Sequence, residues 1–461
     1  MTTQATDRLQ TREILAAMAA FAALCVVALS FAPQLSEPDD YAYRASIIAM
    51  THGHFLSLST AQFNALAAKL PGSGSGLIVP GRAGPAIAQW VQLSDGRWIS
   101  EKDPGYPFFA APFQLAGLIR LTPLFYGALG CLGLFIGGRR WLGRYGGTVA
   151  VCLFCSSGAA LLFAWRDYMP TFTDASMIAA GSGALLWALL AVEATDRRRT
   201  WVGLLAFAAL EAAVFVRYTN VVILICAVVA ALVAWRVRAP RLAGAAVGWW
   251  LGSVAVTAAG IAVFDTAVYG GPLTSGYRPG EITFSLTAVP TNLRYMPPHL
   301  IEAMPMLVLG VAAAVWIVRR RLRSTQRDDA RRDYGVALAL TASWVGVWGL
   351  YATYTWTAHP VGSTLQVVRF YVPALGAISL LAAWLVITLP LRATATSVAS
   401  VAAIAALFGL GVWSFQSTHQ FSGTGHYTQR SGTPVRPGGS VQPGGSPPPA
   451  SPGVTVRRSH G

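Results

Sequence analysis

Long apolar runs separated by short polar stretches dominate the chain, and a run of about 20 such residues is what a membrane-crossing helix requires. Their positions predict eleven spans, over residues 13–32, 118–137, 146–164, 171–192, 201–216, 219–235, 243–265, 300–318, 335–356, 371–390 and 395–415. The fold class expected is therefore an all-α polytopic membrane bundle, with a membrane domain over 13–415 behind a short N-terminal segment, 1–12. Three connections are too long to be simple turns: 33–117, 266–299 and 357–370. In the first, Asp39 to His54 and Thr60 to Leu70 read as helices, 71–76 is a Gly-rich stretch, and Val91 to Ser100 alternates like a short hairpin. Residues 416–461 are rich in Pro, Gly and Ser, cannot bury a core, and read as a disordered tail.

Composition fits that reading, with 54% hydrophobic and only 11% charged residues. A net charge of +15 would suggest nucleic acid in a soluble protein. Here the arginines cluster on alternate connections instead: Arg139, Arg140 and Arg144; Arg197 to Arg199; Arg236, Arg238 and Arg241; and Arg319 through Arg332. Those connections are expected to be cytoplasmic, together with the N-terminus, in a bacterial cell membrane. The long connections and the C-terminus then face outward, and no nucleic-acid partner is expected. Ile14 to Ala32 lacks a clear cleavage site and reads as an uncleaved first span. All five cysteines (Cys25, Cys131, Cys152, Cys155, Cys226) lie in apolar runs, so the Cys152-x-x-Cys155 pair reads as packing rather than metal or redox chemistry.

The pair Asp39-Asp40 follows the first apolar run by a few residues. Two adjacent carboxylates are costly near lipid, which points to chemistry or ions, with helix capping as the plain alternative. The other candidate polar groups fall on the same side: Arg44, His52, His54, Lys102, Asp103, Arg166, Asp167, Asp174, Arg217, Tyr277, Arg278, His299, His359 and Arg369. Glu211 alone sits well inside a span, which is thin support for an ion or proton path. Acids and bases gathered at one interface suit group transfer from a lipid-borne phosphate. A carboxylate can deprotonate an acceptor hydroxyl, and Arg and Lys can neutralise the leaving phosphate.

These residues also carry a resemblance. Asp39-Asp40-Tyr41-Ala42-Tyr43, followed by His52-Gly53-His54-Phe55, resembles the first-loop signature of GT-C membrane glycosyltransferases, in particular protein O-mannosyltransferases and lipid A aminoarabinose transferases. Lys102-Asp103-Pro104-Gly105-Tyr106-Pro107 is similar to the Lys-Pro-Pro segment of that family, Gly271-Pro272 with Gly276-Tyr277 to its Gly-x-Pro and Gly-Tyr stretch, and Arg369-Phe370-Tyr371 to its late Arg-Tyr. The chain departs in carrying Asp40 where Glu is usual and Asp103 where the family has its first Pro. The resemblance implies a sugar transferred from a polyprenyl-phosphate-linked donor to an envelope glycan, lipid or protein. Asp39 would be the catalytic acid, acting as general base or orienting the acceptor. Asp40 would support it, with a divalent metal conceivable at the two. Lys102, Asp103, Asp174, Tyr277 and Arg369 would contact donor phosphate or substrate. A flippase or transporter of lipid-linked intermediates is the alternative.

Overall fold

The computed structural model describes residues 2–388 apart from 32–34, 36–37, 56, 71–86, 88, 94, 192, 239–242, 273, 278–282, 324–327 and 359–367; beyond 388 it describes only 406, 409, 412 and 413. The Gly-rich stretch at 71–76, Arg278, His359, the tail and nearly all of the expected span 395–415 lie outside the described residues.

Among the described residues, seven helices are long and apolar enough to cross a membrane, or nine if two bent pairs each count as one span. The chain is a multi-pass membrane protein. Its first span belongs to α1 (Thr2–Ser30). There follow α5 (Thr122–Leu142), α8 (Thr171–Leu190), α9 (Asp196–Val216), α10 (Val221–Arg238), α11 (Gly244–Tyr269) and α14 (Asp328–Ala352). A shorter apolar helix, α15 (Leu375–Thr388), packs into the core of the bundle. The count of eleven is not reached in the described residues.

Two expected spans are broken helices. Over 146–164 the chain forms α6 (Gly146–Cys155) and α7 (Gly158–Ala164), bent by 61°. Ser157 starts the second piece by accepting the N–H of Ala160 at 3.0 Å, an N-cap that costs the run its continuity. Over 300–318 the chain turns by 105° between α12 (Val289–Ala303) and α13 (Leu307–Arg323). Pro305 lies in the break, and a residue before proline is driven out of the helical region, as Met304 is at φ −136°.

Helices α5 and α8 approach closely through small residues. A methyl group at Gly133 would lie 2.5 Å from the Ala180 Cα, one at Gly137 would lie 2.5 Å from the Gly183 carbonyl oxygen, and one at Gly183 would lie 2.0 Å from the Gly133 oxygen. Gly133 and Gly137 form a small-xxx-small stripe, the usual device where lipid offers no hydrophobic drive for helix association. Glu211 accepts from Ser253 at 2.9 Å and Thr257 at 2.8 Å and so ties α9 to α11. The thiol of Cys155 packs against Cys131 at 3.5 Å, and the cysteines are free.

The arginines of 139–144 meet Arg320 at one end of the bundle. Arg139 and Arg144 hold the buried Glu13, at 3.0 and 3.1 Å, and Arg140 pairs with Glu193 at 2.6 Å. Asp333 accepts from the indoles of Trp141 and Trp384 and pairs with Arg320 at 3.5 Å. The opposite end carries a small layer of its own. It comprises α2 (Pro38–Thr51), α3 (Thr60–Lys69) and an antiparallel hairpin of β1 (Trp90–Gln92) and β2 (Trp98–Ser100), in register Trp90 to Ser100. Phe63 stacks on Trp98 with ring centroids 4.1 Å apart, over a core that includes Ala42, Ala45, Leu58 and Trp90. Both expected helices and the hairpin are therefore present. From the hairpin the chain turns into α4 (Gly105–Leu115), which packs on α2.

Candidate functional site

Asp39 and Asp40 occupy the first turn of α2, where the helix N-terminus favours negative charge. Successive helical residues point roughly 100° apart, so the two carboxylates diverge. Asp39 enters a pair of cations: its Oδ1 lies 3.0 Å from the Lys102 Nζ and its Oδ2 2.7 Å from the Arg369 guanidinium. Asp40 turns the other way, into a buried pair with Arg166 in which the side chains are 1% and 2% exposed. Of the adjacent acids that stood together in sequence, Asp39 is at the junction of loops and Asp40 is held apart from it in its own ion pair.

Close backbone contacts bring the loops to Asp39. Gly276 lies against the Lys102 turn so tightly that a methyl group there would sit 2.6 Å from the Glu101 Cα. This lets the Tyr277 hydroxyl accept from Lys102 at 2.9 Å. Gly105 meets the end of α9 in the same way: its added methyl would lie 2.3 Å from the Phe215 carbonyl carbon. The neighbouring Asp103 consequently receives the Tyr218 N–H at 3.4 Å, and the Tyr218 hydroxyl donates to Asp265 at 2.8 Å. Arg369 is steadied by the rings of Trp356 and Phe370, whose centroids lie 5.4 and 4.8 Å from its guanidinium carbon. Its backbone oxygen accepts from Arg217 at 3.1 Å. Arg217 in turn pairs at 3.1 Å with Asp174, which is fully buried in the first turn of α8.

Electrostatics separate the acids. Burial opposes the charge on Asp39, but Arg369 and Lys102 outweigh it and hold its carboxyl well below the usual range. Burial likewise opposes the Lys102 charge, and Asp39 more than restores it. Asp103 differs: burial dominates its cations, and its carboxyl is pushed up to about 7. Asp167, beside the Asp40–Arg166 pair, is raised by burial to about 6.

Asp39, Lys102, Tyr277 and Arg369 are in direct contact, Asp103 adjoins them through Lys102, and Asp174 supports them from behind through Arg217. Asp40 belongs to a separate pair. The divalent metal conceived for Asp39 and Asp40 does not fit: each carboxylate is already neutralised by arginine or lysine, and no cluster of three or more His, Cys, Asp and Glu gathers among the described residues. His52 is exposed, and His54 contacts Gln62 at 3.3 Å. Sequence reasoning missed Gln89, which hydrogen-bonds Asp39 from a left-handed backbone at φ +55°. Such a conformation is uncommon for a residue other than glycine and recurs at functional sites. Tyr218 was also missed; nothing in its sequence context distinguishes it.

A cleft opens beside Lys102, lined by the apolar Phe55, Trp90 and Phe264, by Tyr269, and by Ser46, His54 and Ser100.

Compared with solved structures, the chain is similar to ArnT of Cupriavidus metallidurans bound to undecaprenyl phosphate, at TM-score 0.52 and 14% identity over 88% of this chain and 64% of that one. It is also similar to the oligosaccharyltransferase of Archaeoglobus fulgidus in its apo form, at TM-score 0.50 and 10% identity over 89% and 56%. The fold is GT-C. The chain thus spans less than two thirds of either neighbour's length. No protein-family model and no curated protein matches the sequence.

Proposed function

We propose that the chain is a membrane glycosyltransferase that moves a sugar from a polyprenyl-phosphate-linked donor to a cell-envelope glycan, lipid or protein. The observation that carries this reading is the Lys102–Asp39–Arg369 junction, an ionised carboxylate flanked by two buried cations at the end of the bundle opposite the arginine clusters. Two cations held 2.7–3.0 Å from one carboxylate are spaced to share a phosphate as well. The GT-C fold and the undecaprenyl phosphate bound to ArnT agree with a lipid-phosphate ligand here.

In this reading the donor phosphate sits on Lys102 and Arg369, which neutralise the charge that develops as the sugar leaves. Asp39 orients the acceptor hydroxyl towards the anomeric carbon, and an aspartate at this junction takes its proton. Tyr277 fixes Lys102, and Asp174 with Arg217 fixes the Arg369 segment. The site would face outward, away from the cytoplasmic arginines, as the charge bias suggests.

The test is transfer from undecaprenyl-phosphate-linked pentoses and hexoses by the purified full chain in lipid vesicles. Transfer by wild type and its loss in Asp39→Asn are expected. Full activity of Asp39→Asn would remove Asp39 from the chemistry, and lipid movement without transfer would favour a flippase.

A further inference from the structure

The cleft beside Lys102 is walled by distant parts of the chain. Ser46 comes from α2, Phe55 from the connection after it, Trp90 and Ser100 from the hairpin, and Phe264 from α11. Lys102 belongs to the same wall, and its Nζ lies 3.0 Å from Asp39 and 2.9 Å from the Tyr277 hydroxyl. The cleft therefore ends at the ion-pair junction. Arg369 and the rings that steady it, Trp356 and Phe370, are not among its described walls. A ligand in the cleft reaches Asp39 from the Lys102 side and leaves the Arg369 side free.

We infer that this cleft holds the acceptor and that the acceptor is a neutral saccharide. This rests on the glycosyltransferase reading and names the acceptor class within it. Charge is the first ground. Among the described residues of the wall, Lys102 is the one Lys, Arg, Asp or Glu, and it already serves Asp39. A phosphorylated or charged acceptor would lose its hydration there without a counter-charge of its own.

Shape and hydrogen bonding are the second ground. Phe55 is 37% exposed and meets Phe264 edge to face, with ring centroids 5.4 Å apart. One face of a sugar ring presents C–H groups, which pack against the negative face of an aromatic ring. The serines supply the complementary polar contacts. Ser46 donates its own hydroxyl to the Ala42 carbonyl at 2.9 Å, so its oxygen is left to accept. Ser100 accepts the Lys102 N–H at 3.1 Å, so its O–H is left to donate. A sugar hydroxyl both donates and accepts and can use both serines, whereas a lipid chain can use neither. Apolar walls with a few placed polar groups are the usual construction of a small-ligand site.

The step balances. The acceptor O–H bond breaks and its proton passes to the aspartate of the junction. The oxygen bonds to the anomeric carbon, the bond from that carbon to the phosphate oxygen breaks, and polyprenyl phosphate leaves with the electron pair.

The experiment supplies the full chain in lipid vesicles with the undecaprenyl-phosphate-linked sugar that it uses best and with three kinds of acceptor. These are a panel of neutral hexose and pentose di- and trisaccharides, a Ser/Thr peptide, and a bis-phosphorylated glucosamine glycolipid. Wild type should transfer to members of the neutral panel. Phe55→Ala should raise the KM for that saccharide roughly three- to tenfold, the range for one aromatic contact. Phe55→Tyr should restore it, Ser46→Ala should raise it as well, and the donor KM should stay at the wild-type value in all three. Transfer to the peptide or the phosphorylated glycolipid but to no neutral saccharide would overturn the acceptor class and leave the glycosyltransferase reading standing. An unchanged saccharide KM in both Phe55→Ala and Ser46→Ala, or an equal rise in donor KM, would remove the acceptor from this cleft. Absence of transfer to every acceptor from every such donor would overturn both readings.

Discussion

Asp40 and Arg166 should behave as a structural unit, and the consequence of separating them can be worked from their burial. The two side chains are 1% and 2% exposed, so neither charge is solvated in the folded state. At an effective dielectric of about 20, unit charges about 4 Å apart attract by about 4 kcal/mol. Removing one partner forfeits that attraction and leaves the other charge buried without compensation, which costs about 3–5 kcal/mol. Asp40→Asn should therefore lower the folding equilibrium by roughly two to four orders of magnitude, at about 1.4 kcal/mol per tenfold. Replacing both partners, as in Asp40→Leu with Arg166→Met, removes both buried charges together and should recover most of the loss. The assay is denaturant unfolding of wild type, Asp40→Asn, the double variant and Asp39→Asn in detergent, read with and without undecaprenyl phosphate. The lipid should stabilise Asp39→Asn, in which Lys102 and Arg369 have lost their carboxylate and then gain an anion, and should do nothing for the defect in Asp40→Asn. An Asp40→Asn variant within about 0.5 kcal/mol of wild type, or a double variant no better than the single, would show that Asp40 is not an anchor.

Three further outcomes follow from the same contacts. Lys102→Ala and Arg369→Ala should each weaken undecaprenyl phosphate binding by about 1.5–3 kcal/mol, the range for hydrogen bonds to charged groups, or roughly ten- to hundredfold in Kd by titration. Gly105→Ala drives a methyl group into the Phe215 backbone and should cost about 1–3 kcal/mol in unfolding experiments, with the Asp103–Tyr218 contact displaced; a neutral effect would mean that the approach is looser than 2.3 Å. Asp103 has a folded pKa raised to about 7 from an unfolded value of about 3.9, so wild type loses stability as pH rises between them. Asp103→Asn should match wild type near about pH 4 and exceed it at about pH 8 by up to about 4 kcal/mol, roughly 1.4 per unit over three units; an equal difference at both pH values refutes the burial argument.

Much of the fold was legible because hydropathy reports membrane burial directly. Most of the spans, the two loop helices and the hairpin follow from period and run length. Breaks inside spans were harder to read, since a run remains apolar across a turn. Ser156-Ser157 and Pro305 were the available signals, and both are local departures that averaging over about 20 residues conceals. The α5–α8 contact was also readable, because Gly133-Leu134-Phe135-Ile136-Gly137 carries its own packing signature.

The candidate site was legible in its residues but not in their division of labour. Asp39 and Asp40 share chemistry and sequence context, and a helical turn of one residue sends the first to Lys102 and Arg369 and the second to Arg166. No pattern in sequence marks that difference, because it depends on which distant loop meets each side chain. The same holds for Asp174, whose partner Arg217 lies beyond the next helix, and for Glu211, whose partners lie on α11. Asp103 is the opposite case, a departure from the family pattern that sequence displayed openly. Its surroundings became visible only in the fold, where burial raises the carboxyl that follows Lys102 and the Tyr218 N–H meets it.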